Sequence, residues 1–341
     1  MSNIIQFGVR FSEYLLRKNL QHIILHVTNR CNFRCKHCFV DFTPADDLPI
    51  ERIRTLSQEV GPLFWMDIGG GEPFLRRDLA EIVSLFDTKV VTIPSNGSLA
   101  DRMLPQLAEM KKTTDAEVVL SLSLDGLKDT HNSIRGKKDS WDQVWSMFEE
   151  VRQLGGISVK INTVINNENF DEIIPLMEQV RHEGADFHSV FLVRGETLSD
   201  EINLPPIQDL RQLGPEIFKI LGTYDYGRTH FSTHILRNYH RYLWNISLRT
   251  LEEKTQVIPC LAGKAHMVVM GNGKVSSCEM LAPIGDLKTQ SWREIQDSDA
   301  FKKQLKSIEN KECHCTHNCA MFDSIFFNPK NLPNLIKPVA V

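Results

Sequence analysis

The stretch "CNFRCKHC", residues 31–38, sets three cysteines within eight residues, directly after the apolar run "IILHV" at 23–27. Packing a soluble domain does not ask for thiols at that density. Soft thiolates select zinc, copper(I) or an iron–sulfur cluster. A structural zinc site takes four ligands, and His37 inside the stretch can supply the fourth. The iron–sulfur reading differs: three thiolates hold three irons of a 4Fe–4S cube, and the fourth iron stays open as a reaction site. Spacing alone leaves both readings standing.

Outward from this stretch, short β-rich runs recur: "IILHVT", "LFWMDIG", "KVVTIPS", "EVVLSLSLD", "ISVKINTVI" and "SVFLVR". Several are almost continuously apolar, as strands buried on both faces of a parallel sheet are. Helical patterns lie between them. "LPIERIRTLSQEV" carries Pro49 at a plausible first turn, with Ile50, Ile53, Leu56 and Val60 on one side. "WDQVWSMFEEVRQLGG" ends on two glycines, a helix stop. Strand–helix repeats of this kind are βαβ units. Six of them, from about residue 22 to 205, predict an α/β fold: a partial (β/α)6 TIM-like barrel, not the closed eight-fold one. Chemistry in such barrels sits at the carboxyl ends of the strands. There the sequence places "CNFRCKHC" first, then "GGGEP" at 69–73, "SNG" at 95–97 and "SLDG" at 123–126. Four unusual sequences at consecutive strand ends predict one shared mouth.

The remaining chain divides by composition. Residues 1–21 are a lead-in to the 22–205 core. "NLPPIQDL" opens a helical linker at 206–255, rich in His230, His234, Tyr239, His240, Tyr242 and Trp244. His230 and His234 stand at i,i+4, but no glutamate lies between them as in HExxH, so a packed or solvated helix is expected. Residues 256–325 form a small β-hairpin and helical domain, whose hairpin is signalled by Asn272–Gly273. Residues 326–341 are a tail, and the apolar "MFDSIFFNPKNLPNLI" suits core packing, or contact with a partner or membrane surface.

The chain has 341 residues, 42% hydrophobic and 24% charged, and a formal net charge of −4. That balance argues against a nucleic-acid partner. Its first twenty residues lack a secretory pattern, and no apolar run is long enough to span a membrane, so a cytoplasmic location is expected. Disulfides are then not the expected use of the eight cysteines. Three lie early, and five lie late: Cys260, Cys278, Cys313, Cys315 and Cys319. This grouping predicts two separate metal sites.

With these residues in place, residues 22 to about 205 resemble the radical S-adenosylmethionine (SAM) enzymes, whose signature CxxxCxxC is "CNFRCKHC" here. "GGGEP" resembles their glycine-rich motif for the amino group of SAM, and "SLSLDGLKDTHNSIRG" a fourth-strand segment of several branches. The resemblance implies a 4Fe–4S cluster on Cys31, Cys35 and Cys38, with SAM chelating its open iron. It implies cofactor contacts from Gly69, Gly70, Gly71 and Glu72, from Ser95 and Asn96, and from Ser123, Asp125 and Arg135. Glycines admit close backbone approach, a carboxylate suits an ammonium, and a guanidinium suits a carboxylate. On residue type alone, Ser95–Gly97 also reads as an ordinary loop, Ser123 as a turn serine and Arg135 as a surface arginine.

"CLAGKAHMVVMGNGKVSSC" followed by "CHCTHNC" resembles the auxiliary-cluster domains called SPASM, or twitch when shortened. The full SPASM pattern uses seven or more cysteines for two clusters, so the five here imply one auxiliary 4Fe–4S cluster. By that resemblance Cys260, Cys278 and Cys319 are ligands, and the fourth is Cys313 or Cys315; a zinc site using His314 or His317 is the alternative. The implied activity is reductive cleavage of SAM to a 5′-deoxyadenosyl radical, which takes hydrogen from a substrate, with net oxidation or bond formation. An electron donor such as flavodoxin or ferredoxin would be a partner. The first strand starts near Ile23, leaving no room before it for a peptide-binding domain. A non-peptide metabolite is therefore the expected substrate, with a peptide maturase and a non-catalytic metal-binding module as the alternatives.

Overall fold

Runs as apolar as "IILHVT" need burial on both faces, and the computed structural model, which describes residues 3–17 and 19–337, supplies it. Residues 1, 2 and 18 of the lead-in and 338–341 of the tail lie outside the described residues. Helix α1 (Asn3–Arg17) leads to β1 (His22–Thr28), whose seven residues are all buried. The βα units follow as α2 (Ile50–Val60), β2 (Trp65–Gly70), α3 (Leu79–Ser84), β3 (Val90–Ser95), α4 (Ala100–Thr113) and β4 (Glu117–Ser123). Then come α5 (Lys128–Arg135), α6 (Ser140–Leu154), β5 (Ser158–Ile165), α7 (Ile173–His182) and β6 (Phe187–Leu192). Strands β1 to β6 are parallel in consecutive order and β6 does not pair with β1, so the barrel is open, as expected.

Period-two alternation divides these strands between a core and a lumen. Met66, Ile68, Val91, Leu120 and Ile161 face outward and pack against the surrounding helices. Their neighbours Asp67, Thr92, Ser121, Lys160 and Asn162 line an interior cavity of about 590 Å³. Closed barrels fill that space with branched apolar side chains. Here the lumen stays open, and polar side chains share it with aromatic ones.

Helices α8 (Ile207–Leu221) and α9 (His230–Glu253) fill the expected helical stretch. The late hairpin is β7 (His266–Val269) and β8 (Lys274–Ser276), followed by β9 (Gly285–Asp286), α10 (Trp292–Asp297) and α11 (Asp299–Glu309). The chain then forms α12 (Asn318–Phe326) and α13 (Leu332–Ile336). The hairpin is not a separate sheet: β7 pairs in parallel with β1, from His22↔His266 to Leu25↔Val269. One nine-stranded sheet results. Asp323 Oδ2 lies 2.8 Å from Nδ1 of both His22 and His266, so a fully buried clamp ties α12 to β1 and β7.

The open side of the barrel is covered by aromatic rings. Phe187 of β6 meets His240 of α9 at 4.9 Å between centroids, Tyr239 meets Phe322 of α12 at 5.5 Å, and Phe322 meets Trp65 of β2 at 5.0 Å. Met321, Ile325 and Phe326 are buried against Leu243 and Ile246, so the apolar tail packs into the core. His230 and His234 are exposed, and the His234 ring lies 2.8 Å from the Ile336 carbonyl.

Candidate active site and thiol clusters

The mouth is built from the β1 end upward. Cys31, Cys35 and Cys38 all line the cavity. Their loop is tied to α5 through Lys36 N–H donating to the Ile134 carbonyl at 2.8 Å. Burial pushes the Cys31 thiol up to about 11 and raises those of Cys35 and Cys38. Such thiols stay protonated until a metal displaces the proton. Three of them beside a glycine-lined wall are a donor set that fits a cluster with one open iron. His37 Nε2 stands 3.8 Å from Asp125, and burial pushes its ring down to about 4.

The β2 end supplies the glycines, for a reason closer to home than ligand approach. Gly71 N–H donates to the Thr28 carbonyl at 2.8 Å and Glu72 N–H to that of Arg30 at 2.9 Å. A Cβ on Gly70 (φ 98°) would collide with the Thr28 carbonyl, and one on Gly71 with that of Arg30. The glycines thus let the β2 exit lie flush against the cysteine loop. Glu72, 2% exposed, turns inward. Its Oε1 accepts from Ser95 Oγ at 2.9 Å and its Oε2 from Asn96 N–H at 2.9 Å. Burial outweighs these bonds and pushes its carboxyl up to about 7. Ser95 and Asn96 therefore hold Glu72 in place, a role beyond the expected loop or cofactor contact.

The β4 end brings Ser123 to the cavity wall and Asp125 behind it. Arg135 is no surface residue. It is 8% exposed, its Nη2 lies 2.5 Å from Asp125 Oδ2, and its Nη1 lies 3.6 Å from Cys35 Sγ. Burial opposes ionisation of Asp125, but Arg135 and His37 overcome it and hold the carboxyl below its ordinary value. One guanidinium thus sits between a cysteine of the mouth and a fixed carboxylate.

Among the late cysteines the structure makes a different grouping from the expected one. Cys260, Cys278 and Cys313 pack in one small cluster, and Cys315 lies close enough to couple electrostatically to Cys260 and Cys278. Gln256 joins the group, donating to the Cys313 carbonyl at 3.0 Å and accepting from Cys260 N–H at 3.3 Å. Cys319 instead lines the barrel cavity, with its Sγ 3.1 Å from Asp67 Oδ2. Both Cys313 and Cys315 therefore stand with Cys260 and Cys278, and Cys319 faces the lumen.

Sequence reasoning missed what joins the two regions. Glu279 Oε1 accepts a hydrogen bond from His26 Nε2 at 2.6 Å, and its Oε2 lies 2.6 Å from His317 Nε2. His317 Nδ1 lies 3.7 Å from Cys278 Sγ. The available signal was a glutamate directly beside Cys278. Asp67 and Lys160 were also missed, though a charge on the same face of two apolar strands marks a polar lumen.

An open parallel barrel with three thiols at its mouth and a second thiol group beyond defines a class. Residues 25–180 match the radical SAM superfamily and residues 260–320 match SPASM, an iron–sulfur cluster-binding domain. The chain belongs to the radical SAM superfamily and carries a SPASM domain, which imply a 4Fe–4S cluster with SAM and auxiliary iron–sulfur binding. It is 28% identical over 195 residues to Fe-coproporphyrin III synthase of Methanosarcina barkeri, across 52% of this chain and 46% of that one. It is 26% identical over 196 residues to the subtilosin biosynthesis protein AlbA of Bacillus subtilis, across 53% and 43%. The chain thus spans about half the length of the curated relatives it matches. Its fold is similar to that of Streptococcus suis SuiB bound to precursor peptide SuiA, with a TM-score of 0.65 at 16% identity, across 89% of this chain and 71% of that one. No helix among the described residues is long and apolar enough to cross a membrane.

Proposed function

We propose that the protein is a radical SAM enzyme acting on a non-peptide metabolite held in the barrel lumen, with net oxidation or bond formation. The observation that carries this reading is the convergence of Cys31, Cys35, Cys38, Glu72 and Arg135 on one cavity that continues into a polar lumen. Cys31, Cys35 and Cys38 hold the first cluster, which when bound supplies the electron that cleaves SAM to a 5′-deoxyadenosyl radical. Glu72 takes the ammonium of SAM, Arg135 its carboxylate, and Ser123 its ribose; Ser95, Asn96 and Asp125 fix the first two. Gly69, Gly70 and Gly71 keep the wall thin enough for SAM to lie against the backbone. The aromatic wall of α9 and α12 keeps water and stray hydrogen donors from the lumen. Cys260, Cys278, Cys313 and Cys315 hold the auxiliary cluster in a unit spanning about 256–325, while 22–205 forms the SAM-binding core. A flavodoxin or ferredoxin supplies the electron.

The cavity of about 590 Å³, mouth included, is of the size that small-molecule sites have, and the likeness to Fe-coproporphyrin III synthase points the same way. A peptide-modifying role is the second reading, favoured by the likeness to a bacteriocin biosynthesis protein. Anaerobically reconstituted protein with dithionite should convert SAM to 5′-deoxyadenosine, and a variant with Cys31, Cys35 and Cys38 all changed to Ala should not. Equal production by that variant would end the radical SAM assignment.

A further inference from the structure

Lysine is a rare choice for the inside of a barrel strand, and Lys160 stands there half-buried. In β5, Val159 and Ile161 pack outward, and Lys160 between them lines the lumen. Register sets it beside Ser121 of β4 and Phe187 of β6. Among the described residues Lys160 makes no hydrogen bond and no ion pair. Asp67 is the carboxylate whose charge acts on it. That carboxylate is already engaged, by the Thr92 hydroxyl on Oδ1 and by the Cys319 thiol on Oδ2. Ser121 Oγ, 1% exposed as a residue, and Asn162 Oδ1 line the same cavity and are buried without a partner. Native proteins leave few such groups unpaired. Several meeting in one lumen mark the place of a polar group the protein does not itself provide.

We infer that Lys160, with Ser121 beside it, seats a carboxylate of the substrate, one carried on a planar aromatic or conjugated body. This inference rests on the reading of the lumen as the substrate site. Arg194 and Arg228 also line the cavity but pair with Glu279 and Glu117, so among the described residues Lys160 is the lumen cation without an ion pair. One such ammonium beside the Asp67 charge suits a monoanion better than a phosphate dianion. His240 adds no positive charge, since burial and the Lys160 ammonium together push its ring down to about 3. The planar body follows from the walls: Trp65, Tyr239, His240 and Trp244 all face the cavity. Cys319 and Asp67 then stand beside the seated end of the substrate, while the three early cysteines stand at the mouth.

The test compares indole-3-acetate with indole-3-acetamide, which share a ring and differ in charge, binding to cluster-loaded protein under anaerobic calorimetry. The wild type should bind the acid at least about tenfold tighter than the amide, the scale of one charge-assisted hydrogen bond. Lys160→Met should erase that preference, Lys160→Arg should keep most of it, and Lys128→Met should leave it unchanged, because Lys128 is an exposed residue paired with Asp142. Iron content and circular dichroism check that each variant is folded. If Lys160→Met does not fold, Ser121→Ala should still weaken the acid several-fold and spare the amide. Equal affinity of the wild type for acid and amide overturns the inference, as does a preference that survives Lys160→Met or no binding of the acid at millimolar concentration. SAM cleavage measured on the same samples separates the two levels. Cleavage without acid preference sinks the subsite alone, and acid preference without cleavage sinks the radical reading alone.

Discussion

Glu72 is held by hydrogen bonds to Ser95, Asn96 and Phe74, yet its carboxyl sits at about 7 because desolvation is the larger effect. The unfolded chain releases that proton near the ordinary value of 4.5. Between the two values the folded protein keeps a proton that the unfolded chain has lost. The SAM-free protein therefore loses stability as pH rises from 4.5 to 7, by an amount on the order of 3 kcal/mol. Glu72→Gln removes the ionisation, so SAM-free variant and parent should be about equally stable at pH 5, and the variant more stable at pH 8, in anaerobic denaturant titrations. The same change should weaken SAM binding roughly tenfold or more, since the ammonium loses a charged partner. In the parent, SAM affinity should fall as pH drops below about 7, where Glu72 must first lose its proton. A variant less stable than the parent at pH 8 would refute the desolvation account. Asp125 and Arg135 present the opposite case, a buried pair in which both charges are kept. Asp125→Asn leaves the guanidinium without its counter-charge and should cost about 3–5 kcal/mol in the same titrations.

At the scale of elements, the strands were legible because burial on both faces writes itself as apolar runs, and "ISVKINTVI" becomes β5 almost to the residue. Helix ends were legible where chemistry forces them: α6 stops at Gly155, whose φ of 62° favours glycine. The parallel pairing of β7 with β1 was not, because its partners are more than two hundred residues apart and neither strand encodes the other. The same gap explains the cysteines. The early three share one loop, so spacing alone groups them; the late five come from a hairpin, a loop and a helix, and only packing sorts them. Cys319 sits on α12, which the Asp323 clamp to His22 and His266 turns toward the lumen. This placement has a direct consequence. Cys278→Ala should remove about four irons per chain, a whole cluster, whereas Cys319→Ala should remove none. Iron and sulfide analysis of the two reconstituted variants decides it, and loss of four irons from Cys319→Ala would restore that cysteine to the cluster.

Across the whole molecule, one sheet carries both thiol groups. The early cysteines follow β1, and β7, which β1 pairs with, leads through β8 to Cys278. His26, Glu279 and His317 bridge the space between them. The two thiol groups stand apart on this scaffold, so their metal contents should be separable. Fully reconstituted protein should hold about eight irons and eight sulfides per chain, four in each cluster. Changing Cys31, Cys35 and Cys38 together to Ala should leave about four of each and abolish 5′-deoxyadenosine formation. Cys278→Ala should also leave about four, yet retain cleavage of SAM in the absence of substrate, because its loss does not touch the mouth. Zinc at the late cysteines makes a contrary forecast: four irons in the whole protein, one zinc, and no iron in the triple variant. Mössbauer spectra with metal analysis on both variants distinguish these outcomes. Stoichiometric zinc there would remove the auxiliary cluster from the mechanism and leave the substrate electron to another acceptor, while the SAM-binding mouth would stand as built.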